Sequence, residues 1–285
     1  MDQKLQGKSA VVTGGGNGIG RAVALNLAAE GAAIVVNDFA KGADGTRAAD
    51  KVVEEIVKNG GAAVANYDSV ADYEGGKCII GAAVSNFGKV DILVNSAGNF
   101  RPRAMVEMSR EDWYSVIDVH LTGHFNCCRA AVAEMVKQKS GRIITVSSRG
   151  CGGFGPHPSA SYNSAKAGIL GLTSAMAEEF EEHGITVNAI LPSASTDLFP
   201  GGRPAMADNM PFTTFLEPQF VAPVIAYLAT EEAKHITGRY IYASGGDLCI
   251  YSRLLELSGP PDIFIRKIGK WSHDELHQAM SSLVR

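Results

Sequence analysis

Ser9-Ala-Val-Val-Thr-Gly-Gly-Gly-Asn-Gly-Ile-Gly20 is the stretch that decides the fold. Residues 9–13 are small or β-branched and read as a short buried strand, and the run from 21 to 30 has helical period. Strand, glycine turn and helix start in that order form an anion cradle. Glycines let the backbone approach a pyrophosphate, and the helix N-terminus supplies free N–H groups and a positive dipole end. This assigns Gly14, Asn17, Gly18, Ile19 and Gly20 to a dinucleotide. A glycine cluster alone is more often a turn than a site. Here residues 32–37 read as the second strand of a βαβ unit, with Asp38 at its end, about 20 residues past the last glycine. A carboxylate there accepts from both ribose hydroxyls and repels a 2′-phosphate, so NAD is expected in preference to NADP. Gly15, Gly16 and Asn17 are not basic and Phe39 is apolar, so no guanidinium is expected at an extra phosphate.

Outward from this unit, helical and strand-like segments alternate. Residues 47–59 form an amphipathic helix stopped by Gly60-Gly61, and residues 62–66 a third strand. Asp68 and Ser69 follow it, where an adenine amino group would be met if the strand order reverses near the first strand. A simple turn carboxylate explains Asp68 equally well. A helix over 76–87 leads to a fourth strand, residues 90–95, whose end Asn95-Ser-Ala97-Gly98 places small residues where a backbone must pass close to a ligand. Ser109-x-x-Asp112 has capping-box form and opens a long helical segment to Lys137, with a kink expected at Gly123. His120 falls inside it, and a helical histidine is usually packed or solvated.

The centre of the chain carries chemistry. Residues 142–146 read as a buried strand delivering Ser147 and Ser148 to the end of a sheet, and Tyr162 and Lys166 lie one turn apart on the helix that follows. A tyrosine with reference pKa near 10 is a poor base at neutral pH, and an adjacent ammonium is expected to lower that value. Taken alone, Tyr-x-x-x-Lys is an ordinary helical pair. Strands over 185–191, ended by Pro192, and over 240–243 close the pattern before Gly245-Gly246. Between them residues 193–218 lose periodicity and mix Phe199, Met206, Met210, Phe212 and Phe215 with glycines and prolines, which reads as a substrate cover.

Composition narrows the partners. A chain of 285 residues, 46% hydrophobic, can bury one large α/β core, giving a catalytic domain over 1–250 and an extension over 251–285 with Trp271 as its docking residue. The net charge of -4, with scattered basic residues, argues against nucleic acid. The absence of an apolar run of membrane length, and five cysteines without a C-x-x-C pair, fit a cytoplasmic, reduced protein. His273-Asp-Glu-Leu-His277 imitates a zinc-protease helix, but aspartate stands where that chemistry needs glutamate, and Ser272 with Glu275 explains the segment as a capping box. No metal site is expected.

Together Thr13-Gly-x-x-x-Gly18-Ile-Gly20, Asp38, Asn95-x-Ala-Gly98, Ser148, Tyr162-x-x-x-Lys166 and Asn188-x-x-x-Pro192 resemble a short-chain dehydrogenase/reductase over residues 5–248. The resemblance implies an α/β fold, a Rossmann-type doubly wound, seven-stranded parallel sheet in a single domain, with hydride transfer between an alcohol carbon and NAD. It implies Tyr162 as acid/base, Lys166 lowering its pKa and holding the nicotinamide ribose, and Ser148 binding the substrate oxygen. It also implies a homodimer or homotetramer. Three positions depart from the family pattern: Ser96 and Ser193 replace an asparagine and a glycine, and His120 stands where an asparagine commonly anchors a relay water, a catalytic role its polar imidazole could take over. A Ser148–Tyr162 spacing one residue longer than usual keeps Ser147 in reserve. Within the family, residues 36–38, 65–69, 119–121 and 141–144 look most like the (3R)-hydroxyacyl-CoA dehydrogenase domain of the peroxisomal multifunctional β-oxidation enzyme. A bulky 3-hydroxyacyl-CoA is therefore the expected substrate, with Arg101, Arg103 and Arg149 as phosphate contacts or plain surface charges. A free cyclic, terpenoid or steroid-like alcohol is the alternative, and an inactive NAD-binding partner subunit the non-enzymatic one.

Overall fold

The computed structural model describes residues 3–42, 44–152, 158–198, 216–251 and 263–283. The elements run β1 (Ser9–Thr13), α1 (Gly18–Ala29), β2 (Ala33–Asn37), α2 (Ala48–Lys58), β3 (Ala63–Asn66), α3 (Tyr73–Phe87), β4 (Ile92–Asn95), α4 (Arg110–Ile117), α5 (Gly123–Gln138), β5 (Gly141–Val146), α6 (Ala160–Phe180), β6 (Ile185–Pro192), α7 (Ala222–Leu228), β7 (Tyr240–Ser244), β8 (Asp247–Tyr251), β9 (Ile263–Arg266) and α8 (His273–Leu283). The strand order is β3-β2-β1-β4-β5-β6-β7-β8-β9, parallel through β7. The expected parallel Rossmann sheet is therefore present.

Strand residues alternate between two cores, as the two-residue period of a strand requires. Ala10, Val12, Ile34, Val36, Ile92 and Val94 pack with Val23, Leu27, Val52, Ile56 and Ile225, from α1, α2 and α7. Val11, Val35 and Leu93 face the other way, onto Ile79, Ala83, Cys127, Met135 and Met176 from α3, α5 and α6. The strand order reverses between β1 and β4, and in a sheet covered by helices on both faces that switch point is where a crevice opens at the strand ends.

Two expectations need correction. The sheet does not end at β7. Gly245 adopts φ +53, the chain turns in two residues, and β8 pairs antiparallel with β7 from Ser244↔Asp247 to Tyr240↔Tyr251. A Cβ on Gly246 would lie 1.6 Å from Lys267 O, so only glycine fits beneath the returning chain. β9 then adds antiparallel to β8, and Arg266 reaches Asp247 with Nε–Oδ1 2.7 Å and Nη2–Oδ2 2.9 Å. Trp271, Leu276 and Met280 of the extension are buried in the α1/α7 core. The second correction concerns the long helical segment, which is interrupted by a π turn over Asp118–Thr122, just before Gly123. Gly123 is required for another reason: a Cβ there would lie 2.8 Å from Val70 Cγ2.

The Ser109 capping box is present, with Asp112 N–H donating to Ser109 Oγ at 3.0 Å. Ser272 and Glu275 cap α8 in the same way, while His277 Nδ1 meets the Tyr227 hydroxyl at 3.1 Å. Phe199, Met206, Met210, Phe212 and Phe215 of the proposed cover, and Gly259-Pro260-Pro261, lie outside the described residues.

Candidate active site

The crevice is closed by backbone on backbone. Gly14 adopts φ +64, and a Cβ there would lie 2.7 Å from Ala97 Cα. Thr13 Oγ1 accepts from Ser96 N and Ala97 N at 3.1 and 3.2 Å, which ties the ends of β1 and β4 together. A Cβ on Gly20 would lie 2.0 Å from Gly14 O. Asn17 stands at the N-cap of α1 without a side-chain cap, so the first N–H groups of Gly18, Ile19 and Gly20 are left to a ligand.

Asp38 is fixed at the rim of this cradle: Gly16 N–H donates to its Oδ2 at 3.1 Å and Ala40 N–H to its Oδ1 at 2.9 Å. Across β2, Asn37 Nδ2 donates to Asp68 O at 2.9 Å, and Asp68 Oδ2 accepts from Asn66 Nδ2 at 2.7 Å, which holds Asp68 beside the crevice. Ser69 is turned to its own loop, its hydroxyl accepting from Ala71 N at 3.3 Å. Pro192 ends β6 in register with Ala243, at the same end of the sheet. The glycine cradle, uncapped helix start and fixed carboxylate fit a dinucleotide. The loop after Phe39 folds back through a Lys41↔Arg47 bridge, which returns the chain toward the start of α2.

At the far end of the crevice, β5 and α6 bring Ser148, Tyr162 and Lys166 together. Lys166 Nζ is anchored to Val146 O at 2.6 Å and lies 5.5 Å from the centroid of the Tyr162 ring. Ser148 hydrogen-bonds the Tyr162 phenol. Ser147 does not: its Oγ donates to Lys166 O at 2.7 Å, which locks α6 to β5. The two adjacent serines thus separate into one that faces the phenol and one that anchors the helix. Asn188 is likewise an anchor, with Nδ2 on Ile236 O at 2.7 Å and Oδ1 accepting from Arg239 N at 3.0 Å.

The electrostatics reverse the sequence expectation. Burial pushes the Tyr162 phenol up to about 12, only partly opposed by the Ser148 hydrogen bond, and pushes Lys166 down to about 7. A buried ammonium that itself loses charge near neutrality cannot hold its neighbour ionised, so desolvation outweighs the pair attraction. The sign for stability follows. Between about 7 and the unfolded value of 10.5 the unfolded chain binds the extra proton, so the penalty of burying Lys166 is relieved as pH rises. Urea unfolding from pH 7 to 9 is expected to show the wild type gaining stability relative to Lys166→Met; parallel profiles would contradict the shift.

The π turn completes the site. His120 is buried, its ring 5.2 Å from that of Tyr162 and edge-on to it, and its Nε2 lies 2.8 Å from Asn99 O and 3.1 Å from Asn99 N. Gly98 has to be glycine here, because a Cβ would lie 2.5 Å from His120 Cε1. Phe100 packs on the opposite side, edge-on to Tyr162 at 5.5 Å. His124, which sequence reasoning missed, is a second buried imidazole, one turn further along in α5, and its Nε2 has no hydrogen-bond partner among the described residues. Burial drives His120 well below 6.5 and His124 to about 3, with Lys166 adding to both shifts. Both rings are therefore neutral across the working pH range and can act as dipoles, not as bases. Asn95 donates Nδ2 to Cys128 Sγ at 3.1 Å and sits beneath this cluster.

A family model described as enoyl-(acyl carrier protein) reductase matches residues 14–247. The chain belongs to the short-chain dehydrogenase/reductase family. It is 44% identical over 251 residues to a peroxisomal multifunctional enzyme type 2 of Drosophila melanogaster, covering 86% of this chain and 40% of that protein. It is 41% identical over 244 residues to a 3-oxoacyl-(acyl-carrier-protein) reductase of Staphylococcus aureus, covering 84% of this chain and 97% of that one. The structure of a short chain dehydrogenase from Mycobacterium avium superposes with a TM-score of 0.77 at 37% identity, over 98% of this chain and 95% of that one. The chain thus spans about two fifths of the fly enzyme and nearly all of the bacterial reductase. As a short-chain dehydrogenase/reductase it is an oxidoreductase with a nicotinamide cofactor and a small-molecule substrate. Among the described residues no helix is long and apolar enough to cross a membrane.

Proposed function

We propose that this protein is an NAD-dependent dehydrogenase of a secondary alcohol, with a bulky 3-hydroxyacyl-CoA as favoured substrate. The observation that carries it is the convergence of Ser148, Tyr162 and Lys166 beside a glycine cradle whose rim holds a fixed carboxylate. When bound, NAD supplies the hydride-accepting ring and a positive charge near the phenol. The Ser148 hydroxyl and the Tyr162 phenol hold the substrate oxygen between them. Tyr162 exchanges the hydroxyl proton, and Lys166, fixed by Val146 O, keeps its Nζ over the ring. The raised phenol pKa favours the acid role, protonating an oxyanion in carbonyl reduction. In the oxidative direction the phenol needs cationic help, which Lys166 provides below its own value of about 7. His120 positions the cluster: it joins the Asn99 main chain to the Tyr162 ring and stays neutral while doing so. Asn95, Ala97, Gly98, Asp68 and Pro192 line the cofactor side.

The substrate assignment draws on the names of the relatives and on Arg101 and Arg103, both exposed. Arg149 drops out of the phosphate-binding set. It is buried with its guanidinium 5.2 Å from the Tyr242 ring centroid and 5.8 Å from that of Tyr251. That loss favours the second reading, a free cyclic, terpenoid or steroid-like alcohol. The kcat/KM of a 3-hydroxyacyl-CoA against its free acid separates the two. The thioester is expected to win, with its advantage reduced about 10-fold or more in Arg101→Ala/Arg103→Ala. An absent advantage, or one that survives both substitutions, removes the CoA reading.

A homodimer or homotetramer in the cytoplasm is the proposed state. Exposed Tyr114 on α4 and Phe125 on α5 are apolar surface suited to a second copy. Light scattering at micromolar concentration is expected to give a multiple of the monomer mass, and monomer alone would overturn this.

A further inference from the structure

Asp38, Tyr67 and Arg47 stand on adjoining segments at the carboxylate side of the cradle. Asp38 is the carboxylate. Its backbone N–H donates to Asn66 O at 3.0 Å, which places Tyr67, the next residue after β3, alongside it. Arg47 arrives from the other side. Gly42 N–H donates to Thr46 O at 2.8 Å and Ala48 N–H to Ala40 O at 3.1 Å, closing the loop after Asp38 into a tight return. A Cβ built on Gly16 would lie 2.6 Å from Ala48 Cβ and 2.8 Å from Asp38 Oδ2, so the first residue of α2 and the carboxylate flank one point of the glycine loop. Arg47 immediately precedes that residue, as the N-cap of α2.

The Arg47 guanidinium lies over the Tyr67 ring, 4.0 Å from its centroid, and the Tyr67 hydroxyl is held by Asp50. Among the described residues the guanidinium makes no ion pair and no hydrogen bond, so its donors are uncommitted. A planar cation pre-oriented by stacking loses little freedom when it binds a phosphate, and its fork matches two phosphate oxygens. Beside it, Asp38 is fixed by two backbone N–H groups and cannot swing away. A phosphate on the ribose 2′ position would meet a cation and an immovable anion within one turn of chain.

We propose that Arg47 is a dormant reader of a ribose 2′-phosphate, whose donors come into use once the Asp38 carboxylate is removed. This rests on the NAD reading of the site. The contrary role for Arg47 is purely structural, as a lid on Tyr67.

Dissociation constants for NAD and NADP from calorimetry without substrate, alongside steady-state kcat/KM for both with one alcohol substrate, are measured in the wild type, Asp38→Ser, Asp38→Ser/Arg47→Ala and Asp38→Ser/Arg47→Lys. Far-UV circular dichroism and urea unfolding report that each variant is folded, and Asp38→Asn replaces the serine variant if that one fails to fold. The wild type is expected to prefer NAD, and Asp38→Ser to raise kcat/KM for NADP by about 10- to 100-fold. Arg47→Ala is expected to abolish that gain, and Arg47→Lys to keep part of it. A wild type that already prefers NADP overturns the NAD reading and, with it, dormancy. A wild type that prefers NAD, combined with no gain in Asp38→Ser or a gain untouched by Arg47→Ala, overturns the role of Arg47 and leaves the NAD reading standing.

Discussion

Tyr162→Phe is expected to lower kcat by about 10²- to 10⁴-fold, the range for loss of a positioned acid/base, while the affinity for NAD changes little. The substitution removes one hydroxyl from a buried ring held edge-on by His120 and Phe100, so packing is retained. What is lost is the proton exchanged with the substrate oxygen and the hydrogen bond from Ser148. Because burial sets the phenol near 12, the variant should suffer in both directions of the reaction. Tryptophan quenching or calorimetry with NAD, alongside turnover, separates loss of chemistry from loss of binding. Turnover within a few-fold of wild type would remove Tyr162 from the mechanism.

Gly20→Ala is the second change with a large expected effect. Within α1 alone the substitution should help, since alanine exceeds glycine in helix propensity by about 1 kcal/mol. The added Cβ, however, would lie 2.0 Å from Gly14 O and 2.7 Å from Gly14 C, and backbone atoms cannot rotate away as a side chain can. Overpacking of this kind costs about 1–3 kcal/mol and sometimes more. Gly14 cannot retreat freely either, being pressed toward Ala97 at φ +64. The cradle must open, and the affinity for NAD is expected to fall by about tenfold or more, equivalent to about 1.4 kcal/mol. Gly81→Ala is the control: it also lies in a helix, α3, but a Cβ there has nothing within 4 Å, so it should stabilise by about 0.5–1 kcal/mol. Urea unfolding of both variants, with NAD titrations of the first, tests the contrast.

The parts of the fold that were legible in the sequence are those with a local physical signal. Residues 9–20 combine strand period, glycine turn and helix start, and the alternation of Ala10, Val11 and Val12 maps onto the two cores. Tyr162 and Lys166 could be placed on one helix face by spacing alone. The missed strand β8 had a signal too: Gly245-Gly246 between two apolar runs is a two-residue hairpin, but it was read as a terminus because the parallel sheet was already full. The π turn had none. Widening a helix by one residue leaves composition unchanged, so Gly123 was read as the kink, and His124 could not be seen as a partner of His120. The pKa shifts also lay beyond reach. Sequence places Lys166 beside Tyr162 but not the depth at which both are buried, and depth determines the sign. Arg47 stands nine residues after Asp38, and only the folded loop brings them together.

The measurement that bears most directly on the central claim is wild-type turnover of nicotinamide cofactor with a panel of 3-hydroxyacyl-CoA thioesters and secondary cyclic alcohols. The geometry around Tyr162 and Asp38 predicts reduction of NAD by at least one of these classes, with kcat/KM higher for NAD than for NADP. NAD binding without turnover across the whole panel, in either direction of the reaction, would contradict the account and leave the protein as an inactive partner subunit.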